Sequence, residues 1–180
     1  MSLKLIVGCM FSGKSTEIIR EANRLLVIGK KVLLINNKKD DRYDIDKICS
    51  HDKVMLDCLS YDKLMDIDDE MYDKYEYIII DESQFFPDLY EFVTICVDVK
   101  MKNLIVVGLN GDFERKNFGD MNLLYSIADS IKLLKAMCMN CKDGTEAIFS
   151  KKITNDKNQT DIGTTDKYLP VCRKCYLSNL

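Results

Sequence analysis

Apolar residues come in short runs separated by glycine, proline and charge. Leu3 to Val7 is an apolar run that stops at Gly8, which predicts a strand. Lys14 to Ile28 follows with Ile18, Ile19, Ala22, Leu25 and Leu26 on one helical face, and Gly29 stands where a helix closes. Val32 to Ile35 predicts a second strand and Asn36 to Ser50 a polar loop. Ser60 to Leu64 is read as the start of a short helix, and Asp66 to Asp73 as an acidic turn. Tyr77 to Ile80 is a third strand. Asp88, after Pro87, is placed to cap a helix reaching about Val99, rich enough in β-branched residues that packing must hold it. Leu104 to Leu109 predicts a fourth strand, Met121 to Ala128 a helix and Ile131 to Ala136 a fifth strand.

Alternation of strand and helix implies an α/β fold, a parallel sheet flanked by helices on both faces. After residue 137 the chain turns polar and carries paired cysteines. The expected division is a nucleotide-binding part, 1–137, and a small lobe, 138–180.

Composition narrows the function. The chain has 180 residues, 47% of them apolar, with a formal net charge of -3. A protein that wraps nucleic acid is usually basic, so no nucleic-acid partner is expected. The longest apolar runs fall far short of a membrane span. The N-terminus enters a strand with no leader pattern, so a cytoplasmic location and no membrane partner are the expectations. Of eight cysteines, Cys9, Cys49, Cys58 and Cys96 are scattered and read as small buried hydrophobes.

Gly8, Cys9, Met10, Phe11, Ser12, Gly13, Lys14 and Ser15 match the spacing G-x4-G-K-[ST]. Glycines let backbone N–H groups turn inward around phosphate oxygens. Lys14 supplies charge to the outer phosphates, and Ser15 a hydroxyl to Mg2+. The following helix aims its positive end at the anion. A chance glycine turn is the competing reading, and the flanking strand and amphipathic helix argue against it. Asp81 and Glu82 directly follow the third strand. An Asp there is the usual magnesium partner of a phosphate loop, and Glu82 can accept a proton from an attacking hydroxyl or water. In a parallel sheet both motifs converge on the edge formed by the strand C-termini.

Cys138-x2-Cys141 and Cys172-x2-Cys175, 30 residues apart, fit a tetrahedral Zn2+ site. Four thiolates leave no open position, so the zinc is read as structural, with a redox pair as the lesser alternative. The polar stretch between the knuckles has little core of its own, and metal would fix it as a lid. Three classes then fit: a small-molecule kinase, a nucleic-acid-dependent ATPase with a zinc ribbon, and a nucleotide switch. The ATPase lacks a basic stripe. The switch lacks an N-K-x-D segment. The kinase needs an acceptor pocket, for which Phe85, Phe86, Phe113 and Phe118 are candidates against a default of core packing.

The segments GCMFSGKST, DESQFFPD, GLNGDFERKNFG, CMNC and KYLPVCRKCY, in this order from Leu5 to Tyr176, resemble the type II thymidine kinases, most of all the compact poxvirus-type members. The resemblance implies a RecA-like P-loop sheet with a zinc lobe carrying a lasso-type lid. It also implies phosphoryl transfer from ATP to the 5′-hydroxyl of thymidine, a homotetramer, and inhibition by the end product dTTP. By the same resemblance Glu82 is the catalytic base, and Asp81, Thr16 and Arg42 lie on the ATP and magnesium side. Met10, Phe85, Leu109, Phe113 and Phe118 wall the thymidine pocket. Ser150 and Tyr168 contact the nucleoside, and Asp161, Ile162, Gly163 and Thr164 belong to the lid that reads the base edge. The chain departs from the family pattern at Cys9, Ser83, Asn117 and the pair Thr164–Thr165. It also carries two extra residues between Cys141 and Phe149. None of these removes a catalytic group, and the threonine pair bears on lid conformation. His51, the only histidine, has no assigned role beyond packing or hydrogen bonding.

Overall fold

The computed structural model describes residues 1–40, 47–49, 55–154, 159 and 167–178. Six strands form the main sheet: β1 (Ser2–Gly8), β2 (Val32–Asn37), β5 (Leu59–Tyr61), β6 (Tyr77–Ile80), β7 (Asn103–Gly108) and β8 (Ser130–Leu134). Their order is β5-β2-β6-β7-β1-β8, and every pairing is parallel. Between β2 and β5 lies a small antiparallel hairpin of β3 (Lys47–Cys49) and β4 (Met55–Asp57). The helices are α1 (Lys14–Val27), α2 (Asp69–Asp73) and α3 (Leu89–Thr94).

Both faces of the sheet are buried, and the strands divide their side chains between them in alternation. Leu5, Val7, Leu33, Ile35, Ile78, Ile80, Leu104 and Val106 join Phe86, Leu89, Phe92 and Met121 in one core. Ile6, Leu34, Ile79, Ile105 and Val107 join Ile18 and Ala22 of α1 in the other. Two-sided burial is why these strands read as unbroken apolar runs instead of alternating ones. α1 ends as predicted. Gly29 has φ 78, its N–H donates to Leu26 O, and Lys30 N–H donates to Leu25 O, the double closure that favours glycine at this position.

Several local expectations are corrected. Leu59–Tyr61 is the edge strand β5, not the start of a helix; only Leu64–Asp66 turns, as a 3-10 segment. Asn36 and Asn37 continue β2, so the expected polar loop begins later. Asp69–Asp73 is a short helix, not a turn. Asp88 stands at the N-cap of α3, where its carbonyl accepts from Phe92 N–H (3.0 Å), but its side chain makes no cap bond. Its carboxylate accepts from Leu64 N–H (3.1 Å) and Met65 N–H (2.8 Å), tying the 3-10 turn to α3. The predicted helix to Val99 becomes a π turn over Ile95–Val99. The helix expected over Met121 to Ala128 is instead a 3-10 segment, Gly119–Ser126. Phe86 is fully buried in the core, so packing, not a pocket, accounts for it.

Beyond β8, β9 (Ala136–Met137) pairs with β10 (Glu146–Ala147), and β11 (Phe149–Lys152) with β12 (Tyr168–Val171), which leads into α4 (Arg173–Leu177). Their small core contains Ala136, Ala147, Val171, three of the paired cysteines and Cys9 of the glycine loop. Cys58 and Cys96 are buried too, and burial pushes the Cys96 thiol up to about 12. The side chain of Cys49 lies outside the described residues.

Candidate functional site

With all six strands parallel, Gly8, Ile80 and Gly108 end at one edge of the sheet. β7 lies between β1, which leads into the glycine loop, and β6, which leads into the acidic pair. Two residues give the loop its curl, Phe11 (φ 62) and Gly13 (φ 83), both in the left-handed region. Gly8 has no room for a side chain. A Cβ there would sit 2.5 Å from Ser12 Oγ and 2.7 Å from Leu134 O. Lys14 is buried and arches back over the loop, its Nζ donating to Gly8 O (3.3 Å) and Cys9 O (3.0 Å). Among the described residues, Ser12 Oγ is buried with no hydrogen-bond partner. Ser15 and Thr16 open α1, with Thr16 exposed. A buried cation, an unpaired hydroxyl and the start of a 14-residue helix on one turn fit a polyphosphate.

Behind the loop, Glu17 is buried on α1 and ion-paired to Arg20 (2.5 Å) and Lys132 (2.7 Å). The Arg20 hydrogen bond outweighs the opposing effect of burial and, helped by Lys132, holds the Glu17 carboxyl down at about 2. These cations answer Glu17 and so leave the loop's own electrostatics to Lys14 and the helix end.

Asp81 and Glu82 are both buried. Asp81 N–H donates to Ile35 O (2.8 Å), and one Asp81 carboxylate oxygen accepts from Glu82 N–H (2.8 Å). Glu82 has φ 46 and ψ 39, a left-handed conformation uncommon outside glycine and one that recurs at functional turns. The turn Ser83–Phe85 follows, and Ser83 Oγ donates to Ile80 O (2.9 Å). Gln84, which sequence reading passed over, donates from Nε2 to Glu82 Oε2 (2.5 Å), while its Oε1 accepts from Leu109 N–H (3.1 Å). The available signal was an uncharged polar residue two places after Glu82, facing an otherwise apolar segment.

The candidate pocket residues come from five segments. Met10 and Leu109 are half-buried at the ends of β1 and β7. Phe85 packs edge-on against buried Phe118, ring centres 5.4 Å apart. Phe113 is half-buried, with the Lys152 ammonium 5.1 Å from its ring centre. Ser150 and Tyr168 are buried on β11 and β12. Ser150 does more than line the lobe, because its hydroxyl accepts from Met10 N–H (2.9 Å) and so joins the lobe to the glycine loop. Asp112 and Tyr176 also tie the lobe down, and neither was foreseen. Gln159 donates to an Asp112 carboxylate oxygen (2.6 Å), and Tyr176 O–H donates to Phe113 O (2.7 Å). Arg42, His51, Asp161, Ile162, Gly163, Thr164 and Thr165 lie outside the described residues.

The Sγ atoms of Cys138, Cys141, Cys172 and Cys175 lie within 4.8 Å of one another. Zinc–thiolate bonds of about 2.3 Å in a tetrahedron require sulfurs just under 4 Å apart, so the four fit Zn2+. Cys141 N–H (3.5 Å) and Cys172 N–H (3.3 Å) donate to Cys138 Sγ, and Asn140 Nδ2 donates to Cys175 Sγ (3.1 Å). Burial opposes ionisation of Cys138, but the backbone N–H donors outweigh it and bring the thiol down to about 6. Cys141 is pushed up, first by its contact with the Cys175 sulfur.

A family profile described as thymidine kinase matches residues 1–176. The thymidine kinase of fowlpox virus is 38% identical over 182 residues, covering 99% of this chain and 98% of that protein. The cytosolic thymidine kinase of Homo sapiens is 40% identical over 174 residues, covering 97% of this chain and 72% of that protein. The thymidine kinase of vaccinia virus (strain Western Reserve) is 38% identical over 177 residues, covering 98% and 97% respectively.

Proposed function

The chain belongs to the thymidine kinase family, and from that premise we propose how its own residues carry the reaction. It is a phosphotransferase that uses ATP to phosphorylate thymidine. The observation that carries the residue assignment is the placement of Glu82. It is a buried carboxylate at the end of β6, on the same sheet edge as the phosphate loop and fixed by hydrogen bonds.

Gly8 to Thr16 hold the triphosphate, with Lys14 moving from the loop carbonyls to the outer phosphates. Asp81 and Ser15 would hold Mg2+, which neutralises charge building on the transferring group. Arg42 joins the phosphates from its own segment. Thymidine lies against Met10, Phe85, Leu109, Phe113 and Phe118, with Ser150 and Tyr168 on the lobe side. Asp161, Ile162, Gly163 and Thr164 close over the base. Glu82 takes the proton of the 5′-hydroxyl as that oxygen bonds to the γ-phosphorus. The bond from γ-phosphorus to the bridging oxygen breaks, and ADP leaves with the electron pair. Cys138, Cys141, Cys172 and Cys175 would hold a structural zinc, which would fix the lobe, 138–180, against the nucleotide-binding part, 1–137.

Three finer points of the same reading follow from the family. The enzyme assembles as a homotetramer, for which exposed apolar side chains such as Val27, Ile28, Ile131 and Leu133 offer surface. It is inhibited by dTTP. It works in the cytoplasm; among the described residues no helix is long and apolar enough to cross a membrane.

A panel of nucleosides with ATP and magnesium tests the proposal. Thymidine monophosphate should form in preference to other products. ATP hydrolysis stimulated by single-stranded or duplex DNA, with no nucleotide product from thymidine, would overturn it.

A further inference from the structure

Gln84 is only 3% exposed, yet both ends of its carboxamide are used. Oε1 accepts from Leu109 N–H at the end of β7, 3.1 Å away. Nε2 donates to Glu82 Oε2 at 2.5 Å. The two bonds determine each other. A backbone N–H can only donate and an ionised carboxylate can only accept, so an amide between them has one workable orientation. Two glycines approach Gln84 closely, one at its side chain and one at its backbone carbonyl. A Cβ on Gly108 would lie 2.8 Å from Gln84 Oε1, and a Cβ on Gly119 would lie 2.3 Å from Gln84 O. Glycine at both positions therefore leaves room for Gln84 and its turn.

Glu82 needs such a constraint. Its backbone is in the left-handed region at a tight turn, and a carboxylate on a three-bond side chain does not hold one orientation unaided. We propose that Gln84 is a positioning residue for phosphoryl transfer. Its amide holds the Glu82 carboxylate in the orientation that receives the acceptor proton, and references that orientation to Leu109, a wall of the nucleoside pocket. The proposal rests on the reading of Glu82 as the base. It makes pocket and base share one amide, so that a nucleoside seated against Leu109 meets a carboxylate already aligned.

Two variants separate this role from simple packing. Gln84→Met removes both bonds at similar side-chain length. Gln84→Glu keeps an acceptor for Leu109 N–H, and so keeps the support of the turn, but while ionised it cannot donate to Glu82. Each is made in the wild-type and the Glu82→Gln background, and kcat, the KM values for ATP and thymidine, and melting midpoints are measured. In the wild-type background Gln84→Glu should lower kcat by about 10- to 100-fold, with the KM for ATP within about twofold. In the Glu82→Gln background the same change should alter the residual single-turnover rate by less than about twofold, because no base is left to align. Equal losses in both backgrounds, or a Gln84→Glu enzyme within about twofold of wild-type kcat, would refute the positioning role while leaving the base assignment intact. Near-normal turnover by Glu82→Gln alone would refute both.

Discussion

Gly119→Ala offers a quantitative check on how the turn after Glu82 is held. Gly119 has φ +55, and a Cβ built there lies 2.3 Å from the carbonyl oxygen of Gln84. Two penalties combine. A left-handed residue with a side chain costs about 1–2 kcal/mol, and a contact that forces backbone to move costs about 1–3 kcal/mol. Gly144 supplies the control, because it has φ +89 and nothing within 4 Å of its would-be Cβ, so Gly144→Ala carries the strain alone. Alanine also restricts the unfolded chain, by the same amount in both variants, and this cancels in the comparison. For a domain of this size each kcal/mol lowers the melting midpoint by about 2–4 °C. Gly144→Ala should therefore lose roughly 2–8 °C and Gly119→Ala roughly 4–20 °C by differential scanning calorimetry. Only Gly119→Ala should also lower kcat, since the displaced carbonyl belongs to the residue that contacts Glu82. Equal midpoints for the two variants, or Gly119→Ala melting with the wild type, would refute the close approach of the Gly119 and Gln84 backbones.

Other perturbations probe the rest of the site. Ser150→Ala leaves Met10 N–H without its acceptor; a cost of ~1–2 kcal/mol should weaken ATP binding by about five- to thirtyfold in a titration, and unchanged affinity would mean that the loop keeps its shape without the lobe. Metal analysis should return zinc in the active protein, and its removal by chelator should lower the melting midpoint and weaken ATP binding together, because Cys9 packs in one core with Cys138, Cys172 and Cys175. Active protein free of zinc would contradict this. The Glu17 carboxyl is held at about 2 against an ordinary 4.5. A lowered carboxyl stabilises the fold above its unfolded value and loses that contribution as pH falls, here between about pH 5 and pH 2. After solvent screening it is worth about 1–2 kcal/mol, so acid titration of Glu17→Gln should show a shallower loss of stability than wild type over that window.

Much of this was legible in the chain because its signals are local. Leu3 to Val7, Tyr77 to Ile80 and Leu104 to Val107 are mostly apolar runs, as fits strands of a doubly covered sheet, and a strand and a helix flank Gly8 to Ser15 as its spacing leads one to expect. The paired cysteines announced their cluster in the same way. Several of the errors were decided by a distant partner. The Asp88 side chain looks like a cap for its own helix but serves the turn at Leu64 instead. Leu59–Tyr61 was too short to show a period and became a strand because β2 offered an open edge. Gln84 gave no cue of its own, because its role exists only once β7 brings Leu109 N–H within reach. Cys9, read as a small hydrophobe, is one, but its core belongs to a lobe more than a hundred residues away.

The central claim is that Glu82 is the base for transfer to thymidine, and Glu82→Gln tests it most directly. The amide keeps the size of the side chain and removes its ability to take a proton. Single-turnover transfer of labelled γ-phosphate from ATP to thymidine should fall by roughly 10²- to 10⁴-fold, with ATP affinity unchanged. Transfer at close to the wild-type rate would contradict the account.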